Sequence, residues 1–117
     1  MEKETLKFEM KKRDNIAIFT INSTRLDSSK APQLKTEFLR LISEDYKNII
    51  VNLVNVESID SSGLGALLFG LRQSTNKNGN LKLVGLQSKV SSLLKISKLD
   101  RVLEVFEDEE NCIKSFY

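Results

Sequence analysis

The chain has 117 residues, of which 40% are apolar and 29% are charged, and its formal net charge is +2. A chain of this length folds around one core and leaves no room for a second domain. The near balance of 18 basic and 16 acidic residues argues against a surface built for nucleic acid or membrane. No apolar stretch approaches the ~20 residues that span a bilayer.

The sequence contains no histidine and a single cysteine, Cys112. A lone cysteine forms no intramolecular disulfide, which favours a reducing compartment. Without histidine the chain lacks the commonest general base and the commonest metal ligand, so a Ser-His-Asp or Cys-His enzyme is excluded. The charged segment 1–4 is not followed by an apolar run of signal-peptide length. We therefore expect a cytoplasmic protein without metal or cofactor.

The N-terminal part predicts an antiparallel hairpin. Residues 5–11 alternate between apolar and polar, which indicates a half-buried strand with Phe8 on its inner face. The turn signal Asp14-Asn15 follows, and residues 16–22 form the second strand.

A polar loop over residues 23–30 separates this hairpin from the first helix. Ser28 or Ser29 is expected to cap that helix, and Pro32 fits its first turn, where a missing N–H costs nothing. Apolar residues then repeat at helical spacing to about Ser43.

The rest of the chain alternates strands and helices. Residues 49–54 are apolar and rich in β-branched side chains, which is typical of a central strand covered by helices. Further helices are predicted after residue 60 as far as 76, over 89–97 and over 109–116, and further strands over 81–84 and 102–106. The order ββαβαβαβα indicates one α/β domain over residues 1–117, with a mixed, mainly parallel sheet and about four helices.

The most informative segment, DSSGLG at positions 60–65, joins the central strand to the next helix. Asp60 is placed to cap this helix, and Ser61 and Ser62 fall in its first turn, beside the positive end of the helix dipole. Because N–H groups at a helix N-terminus accommodate a phosphate, we predict that Ser61 is phosphorylated. The alternative is that the run only caps the helix.

The helix that follows has two predicted faces. The leucines at positions 64, 67, 68 and 71 form one stripe, interpreted as the core face. The opposite face carries Ser62, Ala66, Phe69 and Gln73. Gly63, Gly65 and Gly70 would let another backbone approach closely. Small residues around the aromatic anchor Phe69 are interpreted as a protein-binding patch, the alternative being that a neighbouring element buries Phe69.

The segment over residues 51–65 resembles the signature of the anti-sigma factor antagonists, the bacterial STAS-domain family. The similarity extends along nearly the whole chain. It includes Leu26-Asp27 before the first helix, residues 79–85 before the third helix, and residues 93–99 at that helix's end.

The resemblance implies a regulatory switch and not an enzyme. In that family the unphosphorylated antagonist binds an anti-sigma factor, often a serine kinase, and thereby frees the sigma factor. The kinase phosphorylates the first serine of the run, and a metal-dependent serine phosphatase resets the antagonist. Carried over, Ser61 is the phosphorylation site, Asp60 helps to position it, Asp27 matches a loop carboxylate near the kinase contact, and Ser62 is the second candidate acceptor.

The candidate contact residues for the partner are Arg25, Asp27, Asp60, Ser62, Gly63, Gly65, Ala66 and Phe69. One departure stands beside them, since many family members have glycine and glutamate where this chain has Thr24-Arg25. Two other function classes are weighed against the switch. One is a scaffold STAS module of a stress-signalling or lipid-transport assembly, without a kinase cycle. The other is an enzyme or small-ligand binder built on Asp27 and Asp60.

Overall fold

The fold is taken from a computed structural model that describes residues 5–117; the charged segment 1–4, interpreted above as lacking a signal peptide, lies outside them. The strands are β1 (Phe8–Arg13), β2 (Ile16–Ile21), β3 (Arg25–Leu26), β4 (Asn48–Asn52), β5 (Ser58–Ile59), β6 (Asn80–Val84) and β7 (Val105–Phe106). The helices are α1 (Ala31–Ser43), α2 (Ser61–Asn76), α3 (Ser88–Ile96) and α4 (Glu109–Lys114), with a 3₁₀ turn at Leu99–Arg101.

Five strands form the main sheet in the order β1-β2-β4-β6-β7. The hairpin strands β1 and β2 are antiparallel, and β2, β4, β6 and β7 are parallel to one another. Parallel neighbours need long crossovers, which the helices between them supply. The predicted mixed, mainly parallel sheet with four helices and an N-terminal hairpin is therefore confirmed.

The two faces of this sheet are covered unequally. The larger core lies under α1, α2 and α3 and includes Phe19, Phe38 and Leu67, all fully buried. The smaller core lies under α4 and includes Ile50 and Cys112. Burial raises the pKa of the Cys112 thiol to about 12, so this cysteine stays protonated and unreactive at neutral pH. No helix in the described part of the chain is long and apolar enough to cross a membrane.

Strand β1 departs from its prediction. It runs over residues 8–13 instead of 5–11, and every one of its residues is exposed, so the half-buried interpretation was wrong. Phe8 keeps 36% of its surface exposed although its ring stacks on Phe19, with 4.5 Å between centroids. The reason is position: β1 is an edge strand with β2 on one side only.

The start of α1 also differs from its prediction. Lys30 is the N-cap residue and makes no side-chain capping bond, so neither Ser28 nor Ser29 is the cap. The Asp27 carboxylate instead accepts hydrogen bonds from the backbone N–H (3.1 Å) and the hydroxyl (2.7 Å) of Ser29. Pro32 does lie in the first turn, as expected.

The bond from the Ser29 hydroxyl, aided by the nearby Lys30 ammonium and opposed by partial desolvation, holds the pKa of Asp27 below its usual value. The Lys30 ammonium lies 3.7 Å from the same carboxylate oxygen. The charged form of Asp27 therefore stabilises the turn that leads into α1.

Helix α2 buries some of its small residues. Leu64 and Leu67 are buried as predicted, but Ala66 is also fully buried, which contradicts its placement on the exposed face. Leu68 and Leu71 are only half-buried. Residues 63–71 of this helix are all apolar or glycine and carry no strong periodic signal, so close approach to α1 decides which face turns inward.

Gly70 shows how close that approach is. A Cβ atom at this position would lie 2.5 Å from a ring carbon of Phe38 and 2.7 Å from a methyl group of Leu81. Both neighbours are fully buried and cannot retreat into solvent. Gly70 is therefore required by the packing of α2 against α1 and β6, and is not part of an exposed patch.

We expect Gly70→Val to lower the free energy of unfolding by about 1–3 kcal/mol, because the added atoms overpack the core around Phe38. The matched control is Gly65→Val in the same helix, where a Cβ meets nothing within 4 Å and the change should be small. Urea denaturation of both variants measures the difference. Equal losses would show that helix propensity, and not packing, dominates.

We expect Asp27→Asn to lower the free energy of unfolding at pH 7, and this deficit to narrow as the pH falls below about 4. The folded pKa of Asp27 lies below its unfolded value of about 3.9. The stability that its charge contributes is thus present above that value and is lost as the pH falls through the folded pKa.

Urea denaturation of wild type and variant between about pH 3 and 7 tests this expectation. Asp100→Asn removes an exposed charge elsewhere and controls for the change in net charge. A deficit that is the same at every pH would mean that the Asp27 charge does not stabilise the turn.

Candidate functional site

A two-stranded parallel ribbon, separate from the main sheet, organises the candidate site. In it β3 pairs with β5, with Arg25 opposite Ser58 and Leu26 opposite Ile59. The Leu26 carbonyl accepts a hydrogen bond from the Asp60 N–H at 3.2 Å. The ribbon ties the loop before α1 to the loop before α2, although some 30 residues separate them in sequence.

Asp27 and Asp60 each come directly after one strand of this ribbon. Because the strands are parallel, their carboxyl ends lie side by side, and so do the two aspartates that follow them. The structure therefore places the backbone of Asp27 next to that of Asp60. The exposed Arg25 lies on the same ribbon and adds a positive charge beside them.

The start of α2 has the predicted capped geometry. Asp60 is the N-cap residue, and its carboxylate accepts a hydrogen bond from the Gly63 N–H at 3.0 Å. Ser61 is the first residue of the helix and is exposed. The N–H groups of Ser61 and Ser62 belong to the first turn, where a helix offers no backbone acceptor. They are thus available to an anion placed on this end of the helix.

The accessible surface of α2 next to Ser61 is narrower than the predicted patch. Ser62, Gly65 and Phe69 are half-buried, so each reaches the surface in part. At Gly65 an added Cβ would meet nothing within 4 Å, so the missing side chain leaves a shallow opening. The Lys35 ammonium of α1 lies 5.8 Å from the centre of the Phe69 ring, and the chain itself thus covers part of that ring.

Two residues predicted to contact a partner lie inside the molecule. Ala66 is fully buried, and Gly63 is buried against the ribbon. A Cβ on Gly63 would collide with the carbonyl oxygen of Leu26 and lie 3.0 Å from a methyl carbon of Ile59. Gly63 therefore lets the ribbon approach α2, which places it under the site and not on its surface.

The ribbon itself was missed by sequence analysis. Its strands have two residues each, which is too short for any alternation of apolar and polar side chains to appear. The available signal is that Leu26 and Ile59 each stand directly before an aspartate. Lys35 was missed as well, because its contact with Phe69 depends on how α1 and α2 pack.

The site contains carboxylates, hydroxyls and one guanidinium, and its two carboxylates are held by hydrogen bonds within the chain. The Asp27 carboxylate is occupied by Ser29, and the Asp60 carboxylate by the Gly63 N–H. Among residues 5–117 no group of three or more His, Cys, Asp or Glu side chains is arranged to hold a metal ion. The Ser61 hydroxyl, at the first position of α2, is exposed.

Comparison with solved structures places this fold among known ones. The crystal structure of a Thermotoga maritima protein, provisionally assigned as an anti-sigma factor antagonist, superposes with a TM-score of 0.87. The match covers 93% of each chain at 27% sequence identity.

Sequence comparison points the same way. A curated Thermotoga maritima relative, provisionally named an anti-sigma factor antagonist, is 32% identical over 73 residues, which are 62% of this chain. The match spans 65% of that relative's length. The anti-sigma-B factor antagonist of Staphylococcus epidermidis is 29% identical over 85 residues, which are 73% of this chain and 79% of that protein. The STAS domain family model matches residues 7–112, and the chain belongs to the STAS domain family.

Proposed function

We propose that this protein is a cytoplasmic anti-sigma factor antagonist whose partner binding is switched off by phosphorylation of Ser61. Its partner is an anti-sigma factor with serine-kinase activity, and a metal-dependent serine phosphatase restores the unmodified form. The single observation that carries the proposal is the exposed Ser61 hydroxyl at the first position of the Asp60-capped helix α2. The names of the relatives found by sequence and structure support the choice of partner.

Accessibility supports Ser61 over Ser62 as the acceptor. Ser61 is exposed and Ser62 is half-buried. A kinase must bring its active site to the hydroxyl oxygen, which favours the more exposed of the two residues. Neither hydroxyl is needed for capping, since Asp60 already accepts the bond from the Gly63 N–H.

Local electrostatics explain why the modification changes binding more than folding. A phosphate at Ser61 adds about −1.5 to −2 charge units at neutral pH. The first-turn N–H groups and the helix dipole favour that charge by about 0.3–1 kcal/mol, whereas Asp27 and Asp60 nearby oppose it. These two contributions to the folding free energy of the isolated protein oppose each other. In a docked complex the same charge is desolvated against a surface that was complementary to a neutral serine, which costs several kcal/mol.

The surface around Ser61 suits a docking role. The opening at Gly65 admits a partner side chain or backbone, and the half-buried Phe69 supplies an aromatic contact at the next turn of the helix. Arg25 and Asp27 form the rim on the ribbon side. Since Arg25 replaces the glutamate common in related chains, we propose that it selects a partner with an acidic group at the matching position.

Incubation with the cognate anti-sigma factor kinase and Mg-ATP is expected to add one phosphate, on Ser61. Ser61→Ala should abolish incorporation, and Ser62→Ala is the matched control that should retain it. Intact-protein and peptide mass spectrometry measure both. Phosphate that persists in Ser61→Ala, or that appears on Ser62, would refute the site assignment.

Ser61→Asp is expected to weaken binding to the anti-sigma factor at least about tenfold, which corresponds to 1.4 kcal/mol, while leaving the melting curve nearly unchanged. The control is Ser43→Asp, which places the same charge on an exposed serine at the other end of α1, about 20 Å from the start of that helix. Titration calorimetry and thermal denaturation measure the two properties. A large loss of stability in Ser61→Asp, or equal binding losses in both variants, would contradict the proposed mechanism.

A further inference from the structure

The outer edge of the main sheet is left open by strand β1. Among the described residues this strand pairs with β2 alone, and all six of its residues are exposed. The strand contains no proline, glycine or bulge, the devices that commonly prevent an edge from pairing with another chain. It therefore offers a row of backbone donors and acceptors to a further strand.

The register with β2 identifies the backbone groups on this edge. The Lys7 carbonyl accepts a hydrogen bond from the Asn22 N–H at 2.7 Å, so Lys7 belongs to a hydrogen-bonded pair. In an antiparallel ladder such pairs alternate with pairs whose N–H and C=O groups point the other way. Phe8, Met10 and Lys12 accordingly direct their backbone groups away from β2 and toward the open edge.

Lysines on such an edge would normally prevent it from pairing, because they repel the same edge of a second copy. Here the three basic residues of β1 each have a carboxylate partner: Lys11 with Glu109 at 3.5 Å, Lys12 with Glu44 at 3.2 Å, and Arg13 with Glu110 at 2.8 Å. The remaining charges, Lys7 and Glu9, are of opposite sign. The edge as a whole is close to neutral.

We propose that β1 pairs antiparallel with β1 of a second copy of this chain, with Met10 on the two-fold axis. In this register Glu9 faces Lys11 of the second copy, and the symmetry repeats that pair. Beyond the end of the strand Lys7 faces Arg13, whose charge is already paired with Glu110. Met10, 38% exposed in the single chain, faces its own counterpart, and Phe8 faces Lys12 of the second copy. Opposite charges and apolar side chains placed directly across a ladder stabilise it.

The neighbouring registers fail the same charge comparison. A shift of two residues in one direction places Glu9 opposite itself. The opposite shift places Lys11 opposite itself, although it also places Glu9 opposite Arg13. Both keep the hydrogen-bonding groups matched, and of these three registers only the one centred on Met10 has no like-charge pair within β1. Pairing through β1 involves neither Ser61 nor an anti-sigma factor.

Sedimentation velocity over a range of concentrations tests the pairing in the full chain. Wild type is expected to dimerise. Glu9→Lys and Lys11→Glu should each weaken dimerisation about tenfold or more, because each creates two like-charge pairs. An equimolar mixture of the two variants should recover the wild-type association, since the mixed dimer restores both opposite-charge pairs. Lys89→Glu, on the exposed surface of α3, is the control and should dimerise as wild type.

A second variant tests the backbone directly. Met10→Pro removes an N–H that points away from β2, so the hairpin should fold while the dimer is lost. Circular dichroism checks that the variant is folded. A wild type that stays monomeric at all concentrations, a dimer unaffected by Met10→Pro in a folded protein, or a charge-variant mixture no tighter than its components would each overturn the proposal.

Discussion

The hydrogen bond between the Leu26 carbonyl and the Asp60 N–H is the contact on which the candidate site depends. It joins two loops that lead into different helices. The bond can form only because Gly63 has no side chain that would displace the Leu26 carbonyl. A ribbon of two residues per strand would not be stable by itself. It persists because Leu26 is buried in the main core and because the capped start of α2 lies directly beyond it.

Helix α2 has a glycine on its buried face and another on its open face. Gly70 is required inside, where Phe38 and Leu81 leave no room for a methyl group, whereas Gly65 faces open space. Sequence alone does not distinguish them, since both are glycines in a helix where glycine costs about 1 kcal/mol. Packing explains this cost at Gly70, whereas at Gly65 the missing side chain leaves the helix surface open.

Much of the secondary structure could be predicted because its causes are local. Parallel alternation of strands and helices, the capping of α2 by Asp60, and the turn at Asp14-Asn15 are all encoded within a few residues. The predictions of burial were wrong where the packing of a neighbouring element determines which residues are exposed. Phe8 lies on a strand that pairs, among the residues described, on one side only, and Ala66 turns inward because α1 lies close to α2. Alternation and helical spacing describe one element and contain no information about its neighbours.

By itself, the sequence determined the α/β class, the absence of histidine chemistry, and the position of Ser61 at the capped start of a helix. Only the tertiary structure decided that Asp27 stands beside Asp60, that Gly65 and not Gly63 opens onto solvent, and that β1 is left exposed at the sheet edge. The physical reason is the sequence separation over which each interaction acts. Capping and periodicity act over one or two helical turns, whereas the ribbon pairing and the packing of α1 on α2 join residues far apart in the chain.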